Sequence, residues 1–131
     1  MNRNILIITN NPMVEAKLAA YNQQFCDNYE QVLLTVRDKI HGGAKLVTHP
    51  LSGSVKPGET PYRSVAIDDI EDDLDMQSLS MIESAIDRLY TMTRHGCRQY
   101  SQTVMDDFQL IDYNLLLTGL ESVMSSKSCK A

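Results

Sequence analysis

Residues 4–12 read NILIITNNP, and this stretch decides the fold that the sequence predicts. The apolar run from Ile5 to Ile8 is mostly β-branched, which is typical of a strand buried on both faces. Asn11 suits the N-cap of a helix, and Pro12 suits its first position, where the missing N–H costs nothing. We therefore expect the chain to begin with a strand, a tight turn and a helix.

The rest of the chain continues this alternation. Short strands are predicted at residues 24–26, 46–48 and 64–67, separated by a helix that Asp27 caps and Gly42-Gly43 stops. Strands that alternate with helices predict an α/β domain. The expected architecture is a small three-layer, Rossmann-like domain, with a mostly parallel sheet of three to four strands and helices on both faces.

Two helices finish the chain. Asp75 or Ser78 caps the first, which Gly96 ends, and Ser101 caps the second, which Gly119 ends. The apolar positions predicted to form the buried face of the last helix are Val104, Phe108, Ile111 and Leu115. Residues 120–131 are predicted to be a flexible tail.

Composition restricts the class of protein. The 131 residues are expected to form one domain, residues 1–131, with 43% hydrophobic and 22% charged residues. A net charge of −5 argues against a nucleic-acid or anionic-membrane binder. No apolar stretch approaches the roughly 18 residues of a membrane span, and no signal peptide is evident. The three cysteines, Cys26, Cys97 and Cys129, form no C-x-x-C motif, so we expect reduced thiols in a cytoplasmic protein.

Charge is unevenly distributed along the chain. Residues 68–75 read DDIEDDLD, with six acidic groups, whereas residues 37–63 carry five basic and two acidic groups. We interpret residues 68–75 as an acidic linker, and because they lack the EF-hand pattern we predict no metal. An alternative hypothesis is that this run docks on a basic partner surface, in which case salt would weaken the binding.

The segment with the strongest functional signal is residues 48–63, THPLSGSVKPGETPYR. It follows a predicted strand, and open parallel sheets bind ligands beyond the carboxyl ends of their strands. Hydroxyls, glycine N–H groups and cations suit a small anion, a phosphate or a carboxylate. The candidate ligand-binding residues are Asn10 of the first turn together with Thr48, His49, Ser52, Gly53, Ser54, Lys56 and Arg63. The alternative is a proline-stiffened loop whose hydroxyls are used in its own turns.

His49 and Ser52 are the candidate catalytic residues, as a general base and a nucleophile. The chain has no G-x-S-x-G or S-x-x-K motif, so a structural or ligand-orienting role for His49 is the alternative. It also has neither G-x-G-x-x-G nor a P-loop, and no cofactor is predicted.

At THPLSGSVKP and ETPYRS, residues 48–57 and 59–64, the sequence resembles the GrdX family. Further matches are residues 4–12, VRDKIHGG at 36–43 and DFQLIDY at 107–113. Members of this family are encoded beside the glycine, sarcosine and betaine reductase components of amino-acid-fermenting anaerobes. The resemblance therefore implies a pathway context, but it implies no reaction and carries over no catalytic residues.

Two functions remain open after these observations. The first is an accessory protein of the glycine reductase system that binds a small anion or a reductase component through residues 48–63. The second is a small enzyme acting on a phosphorylated or carboxylated metabolite such as acetyl phosphate, which Lys56 and Arg63 would clamp. The sequence decides neither whether the protein is an enzyme nor whether it forms a homo-oligomer.

Overall fold

The first strand and helix form as residues 4–12 predict. Strand β1 (Ile5–Thr9) is followed by helix α1 (Pro12–Lys17), with Asn11 as its N-cap. Oδ1 of Asn11 accepts a hydrogen bond from the backbone N of Met13 at 2.9 Å. This contact satisfies one of the amide groups that the start of a helix leaves without an intrahelical partner.

In the computed structural model, residues 4–50, 60–93 and 100–128 are described, with side chains described as far as residue 122. After α1 the chain forms strand β2 (Asn22–Phe25), helix α2 (Tyr29–His41), strand β3 (Lys45–Leu46), strand β4 (Ser64–Asp68), helix α3 (Met76–Thr93) and helix α4 (Gln102–Ser128).

The four strands form one open sheet in the order β2-β1-β4-β3. β1 pairs with β2 in parallel, whereas β4 pairs antiparallel with both β1 and β3. The predicted α/β class is confirmed. The prediction of a mostly parallel sheet was wrong because the sheet is mixed, and a Rossmann-like topology is therefore not confirmed.

The direction of β4 follows from the segment that precedes it. A parallel neighbour needs a crossover, usually a helix, that carries the chain back over one face of the sheet. The described parts of the segment between β3 and β4, residues 47–50 and 60–63, contain no helix. β4 therefore returns from the edge at which β3 ends, and both ends of the 48–63 loop lie at the edge where β1 and β2 also end.

The sheet carries an apolar core on each face, because neighbouring residues of a strand point to opposite sides. Ile8, Val65 and Ile67 pack with buried residues of α2 and α3, including Val36 and Ile82. Ile7 and Ala66 pack on the other face with Val14 of α1 and with Leu116 and Leu120 of α4. Helices thus cover both faces, and the described residues form three layers.

The N-terminal capping residues of α2 and α3 can be compared with those that the sequence predicts. The predicted capping residue of α2, Asp27, was wrong, because the N-cap is Asn28, whose Oδ1 accepts from the backbone N of Gln31 at 2.8 Å. For α3, Oδ2 of Asp75 accepts from the backbone N of Ser78 at 3.3 Å, which is the predicted capping contact.

Helix α4 is longer than predicted, because it continues past Gly119 to Ser128. A Cβ atom at position 119 would lie 2.9 Å from Cγ2 of Thr48. Glycine at this position therefore lets α4 approach the end of β3 closely and does not end the helix. The extent of the domain and a flexible tail at residues 120–131 stay predictions.

The face that α4 buries also differs from the prediction. Asp112, Leu116 and Leu120 are buried, whereas Val104 and Ile111 are 36% and 41% exposed. The buried face is turned away from the apolar positions that we predicted to be core. The physical reason lies in the partners of Asp112, described below.

The acidic residues 68–75 make several contacts with the rest of the domain. Oδ1 of Asp68 accepts from the backbone N of Asn4 at 3.0 Å, and the backbone N of Asp69 donates to O of Asn4 at 2.8 Å. Nζ of Lys45 lies 3.7 Å from Oδ2 of Asp72. The turn after α2 packs directly on this segment, since a Cβ atom at Gly43 would lie 2.3 Å from the backbone N of Asp72.

We expect Gly43→Ala to lower the free energy of unfolding by about 3 kcal/mol, measured by urea denaturation. Gly43 has φ of +109°, a region that L side chains avoid, and the new Cβ would overlap the backbone of Asp72. The matched control is Gly42→Ala, whose φ is −85° and whose Cβ would lie 3.4 Å from O of Lys39. Its unfolding free energy is expected to change by less than about 1 kcal/mol. Equal effects of the two substitutions would contradict this account.

Candidate functional site

Buried polar side chains collect where β1 ends and β4 begins. Thr9 and Ser64 are cross-strand partners at this point, and their hydroxyl oxygens lie 2.6 Å apart. Asn10 and Asn11 of the turn after β1 and Asp112 of α4 are also buried. Buried polar groups are stable only when they are hydrogen-bonded, so their partners define how this edge is built.

Both carboxylate oxygens of Asp112 accept hydrogen bonds. Oδ1 accepts from the backbone N of Ser64 at 3.0 Å, and Oδ2 accepts from Oγ of Ser64 at 2.6 Å. Oδ2 also accepts from Nδ2 of Asn11 at 3.0 Å. Asp112 therefore joins α4 to the turn before α1 and to the start of β4.

The two hydroxyls form a directed chain that leads to Asp112. Since Oγ of Ser64 donates its single proton to Asp112, Thr9 must be the donor in its 2.6 Å contact with Ser64. Oγ1 of Thr9 in turn accepts from the backbone N of Asn11 at 2.9 Å. Because these groups are buried and hydrogen-bonded to one another, their role is to hold the end of β1 and the start of β4 in place beside α4.

Asn10 fastens the end of the 48–63 loop to β1. Its Nδ2 donates to O of Pro61 at 2.8 Å, and its Oδ1 accepts from the backbone N of Arg63 at 3.0 Å. Both ends of the Asn10 amide thus hold residues 61–63 in place. A direct contact of Asn10 with a ligand stays a prediction.

Arg63 is 2% exposed and lies against Tyr29 of α2. Its Nε donates to the phenol oxygen of Tyr29 at 3.2 Å, and its guanidinium carbon lies 5.7 Å from the ring centroid. Burial raises the pKa of Tyr29, Arg63 opposes that rise, and the charge of Asp112 adds to it. A positive charge is therefore held inside the domain, near enough to Asp112 for both to act on the same phenol.

Arg63 and Asp112 both line a small pocket beside α4. The other residues that line it are Thr60, Tyr62, Ile111 and Leu115. The pocket has a volume of about 170 Å³, including the part open to solvent. The phenol oxygen of Tyr62 accepts from Nε2 of Gln109 at 3.1 Å, which holds this wall of the pocket against α4.

The predicted loop residues fall into four groups. Thr48 is buried, and its Oγ1 accepts from the backbone N of Ala66 at 3.0 Å, so its hydroxyl extends the pairing of β3 with β4. His49 is exposed and does not line the pocket, whereas Arg63 does. The predicted residues Ser52, Gly53, Ser54 and Lys56 lie outside the described residues.

Sequence reasoning missed Asp112, although its spacing carries a signal. Asp112 stands four residues before Leu116 and eight before Leu120, which places it on their face of α4. A carboxylate in register with two buried leucines indicates a buried, hydrogen-bonded acid. Tyr62 was also missed, since its position between a proline and an arginine in a loop gives no comparable signal.

Within the part of the chain that the structure describes, no group of three or more His, Cys, Asp or Glu side chains could hold a metal ion. Among the described helices, none combines the length and the apolar character needed to cross a membrane.

The model of the family described as GrdX-like protein matches residues 6–121 of the chain. The match includes β1 from Leu6 onward, the loop, and α4 as far as Glu121, and it confirms the resemblance found in residues 48–64. No curated protein and no solved structure is significantly similar to the chain.

We expect Asp112→Ala to lower the free energy of unfolding by about 3 kcal/mol in urea denaturation, because it leaves three buried donors without their acceptor. Asp107→Ala is the matched control, since Asp107 is exposed on the same helix. It should change the unfolding free energy by no more than about 0.5 kcal/mol. A loss below about 1 kcal/mol for Asp112→Ala would show that Asp112 does not hold this edge together.

Proposed function

Because the chain belongs to the GrdX-like protein family, we propose that it is a non-catalytic accessory protein of the glycine reductase system that binds a small anion. The proposed site is the pocket beside α4 together with the 48–63 loop, whose last residues form one wall of that pocket. Membership of this family is our reason for placing the protein in the glycine reductase system. The pocket is our reason for proposing an anion as the ligand.

The observation that carries the proposal is the buried guanidinium of Arg63 in the pocket wall. A cation removed from water attracts an anion more strongly than one on the surface, because less solvent screens the pair. Stacking on Tyr29 and the contact of Nε with the phenol oxygen fix the orientation of the guanidinium. Arginine in such a fixed orientation suits the planar oxygens of a carboxylate or a phosphate face.

The negative charge of Asp112 in the same pocket does not exclude an anion. Both of its oxygens accept hydrogen bonds from Ser64 and Asn11, so they face protein donors. Those donors offset part of its charge. In the pocket lining, the phenol of Tyr62 accepts from Gln109 and so keeps its own proton to donate, whereas the hydroxyl of Thr60 donates to O of Tyr62 at 3.4 Å. The lining therefore contains a cation, Arg63, and a phenol O–H, that of Tyr62, and both groups suit a small anion.

The size of the pocket limits the ligand. Pockets that hold a drug-sized molecule have volumes of about 300–1,000 Å³. The pocket here is far smaller: it encloses room for only about one water molecule, and its empty volume of about 170 Å³ includes space open to solvent. We therefore propose that a small anion such as phosphate, acetate or acetyl phosphate binds at the open side of this pocket, and that a nucleotide does not.

The 48–63 loop supports the same ligand class from the sequence. Its ends lie at the carboxyl edge of β1 and β2, where ligands of α/β sheets commonly bind. Lys56, Ser52, Gly53 and Ser54 stay predicted ligands, and so does His49. We favour an accessory protein over an enzyme because His49, the candidate base, is exposed and outside the pocket lining.

The test is isothermal titration calorimetry of the full chain with phosphate, acetate and acetyl phosphate. We expect saturable binding of at least one of them. Tyr62→Phe should weaken that binding about fivefold to tenfold, which corresponds to the loss of one hydrogen bond of about 1 kcal/mol. Tyr113→Phe, on the same side of the sheet but outside the pocket lining, is the matched control and should leave the affinity unchanged.

Lys56→Ala tests the contribution of the loop, with Lys45→Ala as the control. Lys45 lies on β3 and pairs with Asp72, away from the pocket lining. The proposal fails if none of the three anions binds, or if Tyr62→Phe binds as the unsubstituted protein does. Turnover of acetyl phosphate that Lys56→Ala and His49→Ala abolish would instead support the enzyme hypothesis.

A further inference from the structure

A hydrogen bond from α4 decides how the phenol of Tyr62 can use its proton. Nε2 of Gln109 donates to the phenol oxygen of Tyr62 at 3.1 Å. An amide nitrogen can only donate, so the phenol oxygen is the acceptor in this contact and its own O–H is left to donate elsewhere. Among the described residues, Gln109 supplies the one hydrogen bond that this phenol oxygen makes. The proton of Tyr62 is therefore available to a ligand.

The contacts around Gln109 fix its position on α4. Nδ2 of Asn11 donates to the backbone O of Gln109 at 2.9 Å and to Oδ2 of Asp112 at 3.0 Å. Asp112 is buried and stands three residues after Gln109, so the two residues are neighbours on the helix surface. The contacts that hold Asp112 in the domain therefore also direct the side chain of Gln109 toward Tyr62.

Tyr62 is held from the other side by its own loop. Its backbone N donates to Oγ1 of Thr60 at 3.2 Å, and Asn10 binds the residues on either side of it. Tyr62 and Gln109 are both half-buried, which limits the access of water to the hydrogen bond between them. The pair thus joins a fastened loop end to a fixed helix, which is what a positioning contact requires.

We propose that Gln109 is a positioning residue, which makes Tyr62 a hydrogen-bond donor toward the ligand and so selects a ligand with an acceptor oxygen. This role rests on the proposed anion site and names the contact that determines its specificity. Carboxylate and phosphate oxygens accept such a bond, whereas an ammonium group does not. A phenol that already accepts one hydrogen bond is polarised and donates a second more strongly. The amide of Gln109 has no net charge, so it strengthens this donor without neutralising or repelling the anion.

The alternative is a contact that only fastens the loop to α4. Gln109→Glu separates the two roles, because a carboxylate has the shape of the amide but can only accept at pH 7. It would accept the O–H of Tyr62 and leave the phenol oxygen, an acceptor, for the ligand. Gln109→Met keeps a side chain of similar length and removes the hydrogen bond without adding charge.

The direction of the hydrogen bond can be measured without any ligand. The full chain is labelled with 13C at Cζ of tyrosine, and Tyr62→Phe identifies the NMR signal of Tyr62. A phenol that donates its proton gains phenolate character, which moves its Cζ signal downfield. Gln109→Glu should therefore move the Tyr62 signal downfield, and Gln109→Met should not move it upfield. An upfield shift in Gln109→Met, or no shift in Gln109→Glu, would overturn the inference.

Calorimetry of the full chain with phosphate, acetate and acetyl phosphate tests the effect on binding. Gln109→Glu should weaken anion binding about tenfold or more, and Gln109→Met about threefold to fivefold. Asn114→Asp is the control for added charge, because Asn114 is exposed on α4 outside the pocket lining, and it should change the affinity less than about twofold. Circular dichroism of each variant checks that α4 is intact.

The positioning role predicts that the effect of Gln109 depends on Tyr62. In the Tyr62→Phe background, Gln109→Met should change the affinity less than about 1.5-fold, because the phenol through which it acts is gone. Equal losses in both backgrounds, or equal effects of Gln109→Glu and Asn114→Asp, would overturn the inference and leave the proposed function standing. If no anion binds while the Tyr62 signal responds as expected, the anion site is refuted, the selecting role falls with it, and the direction of the hydrogen bond stands.

Discussion

The arrangement of this domain depends on the contacts of one carboxylate, that of Asp112. It reaches from α4 to the start of β4 through Ser64 and to the turn before α1 through Asn11. Removing a carboxylate from water costs several kcal/mol, which strong hydrogen bonds to both of its oxygens can offset. Because the donors belong to Ser64 and Asn11, which are far from Asp112 in sequence and from each other, the carboxylate is satisfied only when these three parts of the chain are assembled. The contact therefore fixes the rotation of α4 about its own axis.

That rotation explains why the face of α4 could not be predicted. The apolar spacing of Val104, Phe108, Ile111 and Leu115 satisfies the pattern of an amphipathic helix, and a pattern of this kind cannot distinguish a core face from an exposed apolar one. Asp112 sits on the buried face for a reason that lies about 50 and 100 residues away, at Ser64 and Asn11. By contrast, the strand, N-cap and helix of residues 4–12 were predictable because their interactions are local. The same holds for the stop at Gly43, where the chain takes a positive φ.

In the sheet, too, the position of each strand depends on local sequence, whereas the direction of β4 depends on a longer segment of the chain. Each strand could be recognised from its own residues, but the direction of β4 depends on what connects it to β3. The prolines and glycines of residues 48–63 were visible in the sequence, and they exclude a helical crossover as clearly as they predict a loop. The error lay in extending the strand–helix alternation across that loop. Correcting it brings both ends of the loop to the edge where β1 and β2 end. The corrected sheet thus changes where the loop ends lie, and the site residues themselves stay predictions.

Helix α4 connects the core with the pocket. Its buried face carries Asp112, and its residues Ile111 and Leu115 border the pocket. The apolar side chains of these two residues keep water from the part of the pocket that they line. Since water screens the attraction between Arg63 and an anion, this apolar wall strengthens that attraction.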